Sequence, residues 1–262
     1  MTTKQEEHVD LMKFKTIVLS DIHLGSNGCR TEDLISFFDK YTCETLILNG
    51  DIIDGWSLSR GHKWSKSDTK IIRKILKISQ KETEVIWIKG NHDEFLKDFI
   101  PFGIGNISIV PTHTHNAVNG KTMFMFHGDV LDFFITKAKW ISYIGSIGYD
   151  LALWLNRVYN KYRSWRNLPY YSISKDIKNG VKKAVDFVND FEVNAAKLAK
   201  QHYCDTAVCG HIHQPVIKEN YMNSGDWCEN CTALAETITG DWMIIEHHAE
   251  PKKKKKKKTT TE

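Results

Sequence analysis

The chain lacks an apolar leader: Met1 to His8 is polar and holds Lys4, Glu6 and Glu7. An export signal needs an apolar core, so the expectation is a cytoplasmic protein. A run of about 20 apolar residues, the minimum for a spanning helix, is also missing. The nearest approach, Trp140–Leu155, is shorter and is interrupted by Asp150. Cysteine is scarce and scattered over Cys29, Cys43, Cys204, Cys209, Cys228 and Cys231. Only Cys228 and Cys231 are closely spaced, and a zinc ribbon needs a second such pair. Without a leader the six are expected to be reduced, buried or incidental thiols. Excess charge of one sign is missing from the body as well. The 262 residues carry a formal +4, but residues 252–262 contain seven lysines and one glutamate, leaving 29 basic against 31 acidic residues elsewhere. A slightly acidic body is a poor nucleic-acid groove, so no nucleic-acid partner is expected.

What is present fits a folded soluble protein, with 41% apolar and 26% charged residues. The length suits one large domain, or one domain with a substantial insertion. Seven consecutive lysines repel one another and bury nothing, so residues 249–262 are expected to be disordered. That tail is either simply solvated or weakly drawn to anionic lipid.

The informative feature is how the apolar runs end. Leu46-Ile47-Leu48-Asn49 reads as a buried strand and stops at Gly50-Asp51. Glycine there permits a sharp turn and leaves room for something close to the strand end. Four more apolar runs end alike, at Ser20-Asp21-Ile22-His23, Gly90-Asn91-His92-Asp93, His127-Gly128-Asp129 and Gly210-His211-Ile212-His213. Open sheets place their chemistry at the carboxyl ends of strands. Apolar strands that each deliver Asp, Asn or His to their tips describe a metal site assembled from a sheet edge. Imidazole, carboxylate and amide oxygen together suit a borderline divalent ion such as Mn²⁺, Fe²⁺ or Zn²⁺, and no thiolate stands among them.

In chain order, Phe14–Leu19, Thr45–Asn49 and Val85–Lys89 read as strands. They alternate with a helix capped by Thr31 and another started by Ser67, across an irregular aromatic and basic loop at Trp56–Lys66. This alternation predicts a parallel sheet covered by helices. Ile107–Val110, Asn116–Val118 and Lys121–Phe126 read as further strands, with Asn119-Gly120 predicting a type I′ hairpin. Leu131–Tyr203 has mainly helical periodicity, and strands resume at Thr206–Cys209, Val216–Lys218, Thr232–Ala235 and Trp242–Glu246. The predicted class is α/β in four αββα layers: two packed mixed sheets flanked by helices, with a helical cap insertion. The expected units are a core of 14–130 and 204–248, a cap of 131–203, and the tail of 249–262.

Asp-x-His, Gly-Asp, Gly-Asn-His-Asp, His-Gly-Asp and Gly-His-x-His occur in this order along residues 21–213. A lone histidine or a post-strand aspartate would mean little. Together the five strings resemble the calcineurin-like metallophosphoesterase superfamily across residues 14–247. The resemblance implies two divalent ions, Mn²⁺ first, with Fe²⁺ or Zn²⁺ as alternatives. The first would be held by Asp21, His23, Asp51 and His213, and the second by Asp51, Asn91, His127 and His211, so that Asp51 bridges. A bridging carboxylate partly neutralises two cations that sit ~3.5–4 Å apart in two-metal sites. His92, beside Asn91 and outside both sets, is the expected catalyst, as a proton donor to the leaving oxygen or a cation near the transition state; the alternative role is to orient a ligand by a hydrogen bond. Asp54, Asp93 and Asp129 read as orienting or turn residues. His62, His113, His115, His202, His247 and His248 match no motif.

Within the superfamily, Asp21-Ile22-His23-Leu24-Gly25, Gly50-Asp51-Ile52-Ile53-Asp54 with its aromatic loop, Gly210-His211-Ile212-His213-Gln214-Pro215 and Asn223-Ser224-Gly225-Asp226-Trp227 resemble the UDP-2,3-diacylglucosamine pyrophosphatase group. That likeness implies cleavage of a nucleotide-linked lipid to UMP and an acylated sugar 1-phosphate in lipid A synthesis. It also implies a peripheral place on the inner face of the cytoplasmic membrane. Better-known members of the group often carry Arg where this chain has His92, whereas His is the rule across the superfamily. The alternatives are a phosphodiesterase or phosphatase for a soluble nucleotide or phosphoprotein, and a scaffold without catalysis. The complete set of ligand positions with His92 weighs against the scaffold. The segment Trp140–Leu155, edged by Lys, Arg, Tyr and Trp, favours a lipid surface.

Overall fold

Several strands are apolar at consecutive positions, which a strand needs only when both of its faces are buried. The computed structural model describes residues 11–134 and 191–250, with positions 159, 161–163, 165 and 166. The strands are β1 (Met12–Leu19), β2 (Tyr41–Asn49), β3 (Glu84–Ile88), β4 (Phe102–Ile104), β5 (Ile107–Val110), β6 (His113–Asn116), β7 (Thr122–Met125), β8 (Thr206–Cys209), β9 (Val216–Ile217), β10 (Tyr221–Asn223), β11 (Thr232–Glu236) and β12 (Trp242–Glu246). Helices α1 (Thr31–Lys40), α2 (Gly55–Ser59) and α3 (Lys66–Ser79) lie among the first three strands. One sheet has the order β12-β11-β1-β2-β3-β5-β4 and the other β6-β7-β8-β10-β9. β1, β2, β3 and β5 pair in parallel, as do β7, β8 and β10, so the tips that matter share one edge.

Alternation along each strand divides the side chains between separate cores. Val18, Ile47, Ile86 and Leu234 of the first sheet meet Met123, Met125, Val208 and Met222 of the second. Their neighbours Ile17, Leu19, Leu46, Leu48 and Val85 point the other way, against Leu34 and Phe37 of α1 and Ile71 and Ile75 of α3. On the outer face of the second sheet, Phe124, Ala207, Cys209 and Tyr221 pack on Phe191, Ala195 and Ala199 of the helical stretch 191–201. Each fully buried Leu, Ile or Val contributes roughly 1.5–3 kcal/mol. The result is helices, sheet, sheet and helix, the four-layer α/β class expected.

Local details differ from the sequence reading. Thr31 is the first residue of α1, not its cap. Arg30 holds the cap position without a side-chain bond, and its Nε–H instead donates to Asp33 at 2.8 Å. α3 is capped by Ser65, whose hydroxyl accepts from Asp68 N–H while Asp68 accepts from Ser65 N–H, a reciprocal box that moves the start ahead of Ser67. The loop 56–66 contains the short helix α2. The β6–β7 hairpin is present, but its turn is not type I′, because Gly120 (φ +84°) is left-handed and Asn119 is not among the left-handed residues. Gly120 N–H donates to Ala117 O at 2.9 Å and Ala117 N–H to Lys121 O at 2.9 Å, giving a three-residue loop closed by glycine. β4 and β10, too short for periodicity to show, were not expected. Most of the expected cap 131–203, including Trp140–Leu155, and the tail from 251 lie outside the described residues. Among the described residues no helix is long and apolar enough to cross a membrane.

Candidate metal and catalytic site

Because β1, β2 and β3 run parallel, Asp21 and His23, Asp51, and Asn91 with His92 leave the first sheet on the same side. β7 and β8 bring His127, His211 and His213 to that edge from the second sheet. The loops are stitched by backbone bonds. Asp21 N–H donates to Gly50 O (3.1 Å), His23 N–H to Asp51 O (2.9 Å), and Gly210 N–H to His127 O (2.9 Å). Room for this crowding comes from three glycines. A Cβ on Gly50 would collide with the His127 ring, one on Gly90 with Asp51, and one on Gly210 with Asp21. Gly50 also takes φ +84°, which glycine adopts without steric cost.

Five of the seven expected ligands are themselves in left-handed backbone: Asp21 (φ +52°), His23 (+54°), Asp51 (+54°), His211 (+69°) and His213 (+54°). Non-glycine residues hold such angles at a cost of order 1–3 kcal/mol each, and they concentrate where side chains must be aimed. Here they aim at one another. One ligand atom from each of Asp21, His23 and His213 lies within 4.8 Å of the others, and the same is true of Asp51, His127 and His211. His127 Nε2 is 3.1 Å from Asp51 Oδ2 and 3.3 Å from His211 Nδ1; His213 Nε2 is 3.1 Å from Asp21 Oδ1. His23 Nε2 is 3.9 Å from Asp51 Oδ2, which places Asp51 between the two groups. Asn91 belongs to the loop whose next residue, His92, donates its N–H to Asp51 Oδ1 (2.8 Å). The Asn91 Oδ1 is buried with no hydrogen-bond partner among the described residues.

That set fits divalent cations. Asn91 presents an acceptor oxygen that lacks a donor, which a cation satisfies. His127 Nδ1 sits 3.0 Å from Asn49 O, so a proton there donates to that carbonyl and turns Nε2 toward Asp51. Burial disfavours charge on His127, yet Asp51 outweighs it and raises the imidazole to about 10. Burial likewise opposes ionisation of Asp51 and Asp21, but the nearby imidazoles hold both carboxyls below their usual range. Two buried carboxylates thus remain ionised and draw positive charge into the site, a place that protons and metal ions compete for.

The expected orienting residues take clear positions. Asp93 is buried, accepts Ile52 N–H (3.1 Å) and Gly90 N–H, and so clamps the Asn91 loop to the Asp51 loop. Burial, then the Asp51 charge, raises its carboxyl. Asp54 caps α2 through Ser57 N–H (2.8 Å) and meets His92 Nδ1 at 3.0 Å. Asp129 lies 3.5 Å from Lys89 Nζ. Sequence reasoning missed the support behind the first group. Ser20 Oγ is 2.7 Å from Ser224 Oγ, Asn223 Nδ2–H donates to Gly210 O (2.7 Å), and Asn230 Nδ2–H donates to His213 O (2.9 Å). The string at 223–227 was visible as a resemblance, but its task of backing the β1 and β8 loops was not. Trp56, read as part of an aromatic loop, lies against His92.

The family model described as Calcineurin-like phosphoesterase matches residues 14–215. A UDP-2,3-diacylglucosamine hydrolase of Vibrio atlanticus is 23% identical over 239 residues, covering 87% of this chain and 89% of that protein. Another, of Wigglesworthia glossinidia brevipalpis, is 22% identical, covering 77% and 80%. A solved Vps29 single mutant from Entamoeba histolytica superposes with a TM-score of 0.39 at 11% identity, covering 88% of this chain and 98% of that one.

Proposed function

The chain belongs to the calcineurin-like phosphoesterase family and is a metal-dependent phosphoester hydrolase, and from that premise we propose that it cleaves the pyrophosphate of a UDP-diacylglucosamine-type lipid precursor, releasing UMP and an acylated sugar 1-phosphate. The observation that carries the chemistry is the pair of ligand groups meeting at Asp51, which suits a two-ion centre. In this reading Asp21, His23, Asp51 and His213 hold one ion, and Asp51, Asn91, His127 and His211 the other. Mn²⁺ is preferred, with Fe²⁺ or Zn²⁺ as alternatives. Bound divalent ions supply Lewis-acid polarisation of a phosphoryl group and lower the pKa of a water molecule.

The remaining work falls to side chains. Asp51 joins the two groups and, through its Oδ1, holds the His92 backbone. His127 is anchored at Nδ1 on Asn49 O, which directs its Nε2 into the site. His92 gives the Nε2 proton to the leaving oxygen as that P–O bond breaks, while water adds to phosphorus and releases its proton to solvent. Asp54 Oδ1, lying on Nδ1, accepts the proton carried there and orients the ring so that Nε2 points away from it. The substrate class is supported by two curated relatives that share the hydrolase name across more than three-quarters of this chain. A cap formed within 131–203, apart from the stretch 191–201 that packs on the second sheet, and a peripheral membrane position complete the proposal, since an acylated substrate resides in lipid. The test is UMP release with Mn²⁺ from UDP-sugars with and without acyl chains. Turnover confined to acylated substrates is expected, and a clear preference for unacylated ones overturns the assignment.

A further inference from the structure

We propose that Trp56 is a positioning residue for His92, an inference that rests on His92 acting as the proton donor. α2 has no buried residue, and Trp56 is 45% exposed, so its indole contributes little to the core. What it does touch is His92: the ring centroids are 4.1 Å apart and the planes 35° from parallel. His23 meets His92 edge-on, at 4.6 Å and 84°. Asp54 Oδ1 lies 3.0 Å from His92 Nδ1.

These contacts do different things. A hydrogen bond at Nδ1 pins one atom and leaves the ring able to swing about the Nδ1···Oδ1 line. An aromatic face fixes the plane, and with the plane fixed the direction of Nε2 follows. The indole suits this task because it offers a broad, rigid ring face for the imidazole to lie on. Trp56 is also carried by the backbone it serves. Gly55 N–H donates to His92 O at 3.0 Å, and a Cβ on Gly55 would sit 2.9 Å from that oxygen, so this approach requires glycine. Asp54, which holds Nδ1, also accepts Ser57 N–H at 2.8 Å and thereby starts the helix that bears Trp56. The stretch Asp54-Gly55-Trp56-Ser57 therefore acts as a bracket around the imidazole. Misplacing a reacting group by about 1 Å can cost about a hundredfold, so a loosened ring is expected to be slower while substrate binding stays intact.

The experiment measures kcat, KM and metal content of the full chain loaded with Mn²⁺, on aryl phosphodiesters whose leaving phenols become progressively more basic. His92→Ala, Trp56→Ala, Trp56→Phe and the His92→Ala/Trp56→Ala double variant are compared. A donor matters most for a basic leaving group. Trp56→Ala should lower kcat about tenfold on the most basic phenol and little on p-nitrophenol, with KM and metal content unchanged. Trp56→Phe should recover to within about threefold of wild type, since a ring face remains. In the double variant the Trp56 change should add nothing to the His92 change. Three results each overturn the inference: an additive double variant, a loss equal across the phenols, or a change in KM alone. A steep series for His92→Ala with a flat one for Trp56→Ala sinks the Trp56 role alone. A flat series for His92→Ala sinks the donor reading, and the Trp56 role falls with it.

Discussion

Among the described residues, the histidine and carboxylate group between the sheets and the one at the strand tips are built on opposite terms. Between the sheets, Glu236 on β11 accepts from Thr16 Oγ (2.8 Å) and from Val118 N–H (2.7 Å), and its Oε2 lies 3.0 Å from His115 Nε2. None of Thr16, His115 or Glu236 is in left-handed backbone, and both Glu236 oxygens have partners. At the strand tips, Asp21, His23, Asp51, His211 and His213 face one another through left-handed backbone, and Asn91 Oδ1 has no donor among the described residues. A closed set of hydrogen bonds ties elements together and asks for nothing more. An open, strained set of the same residue types is costly unless something else completes it. Residue type alone therefore does not distinguish structure from chemistry; satisfaction and backbone strain do.

The largest expected effect tests the open set. Asp51→Ala should lower kcat by at least about 10³-fold and remove both ions together, because one carboxylate serves both groups. Elemental analysis with kinetics checks this, and intact activity with one ion or none would break the comparison. His92→Ala should lower kcat by about 10²-fold while metal content stays at the wild-type level, since His92 lies outside both ligand groups. Metal loss in that variant would move His92 among the ligands.

The closed set should answer in stability instead. Glu236→Ala strands His115, the Thr16 hydroxyl and Val118 N–H in the interior, at a cost of about 3 kcal/mol. Thermal unfolding should drop by roughly 6–12 °C, while metal content and low-temperature kcat hold. If kcat falls and the melting temperature does not, the two groups are not as separate as their geometry indicates.

The smallest effect sharpens the same point through pH. Burial, then the neighbouring His115, pushes His113 down to about 4 from an ordinary 6.5. Its folded form thus favours the neutral ring, and the unfolded chain takes up the proton first. Stability from this residue is complete above 6.5 and is lost as pH falls from there toward 4. His113→Gln should flatten that decline by about 2 °C in melting temperature between pH 7 and pH 5, a modest amount because the ring is only partly buried.

Much of this was readable in one dimension. Runs such as Leu46-Ile47-Leu48 and Val85-Ile86-Trp87-Ile88 are apolar at successive positions, so they demanded burial on both faces and hence a sheet between two layers. Asp21, His23, Asp51, Asn91, His127, His211 and His213 stood out because each follows such a run, and the glycines beside them announced close approach. Boundaries slipped where neighbours override propensity: Ser65 with Asp68 set the start of α3, and Gly120 set the turn after β6.

What the sequence by itself determined is thus the layered architecture and which side chains arrive at the shared edge, because periodicity and strand ends are local properties. Tertiary structure decided what those side chains do there. That Ser20 meets Ser224, that Asp21 accepts the His211 N–H at 2.9 Å, and that Trp56 lies on His92 are contacts across 204, 190 and 36 positions. Such pairs are set by how two sheets pack and by which loops their twist brings face to face. No pattern within a single segment encodes that distance.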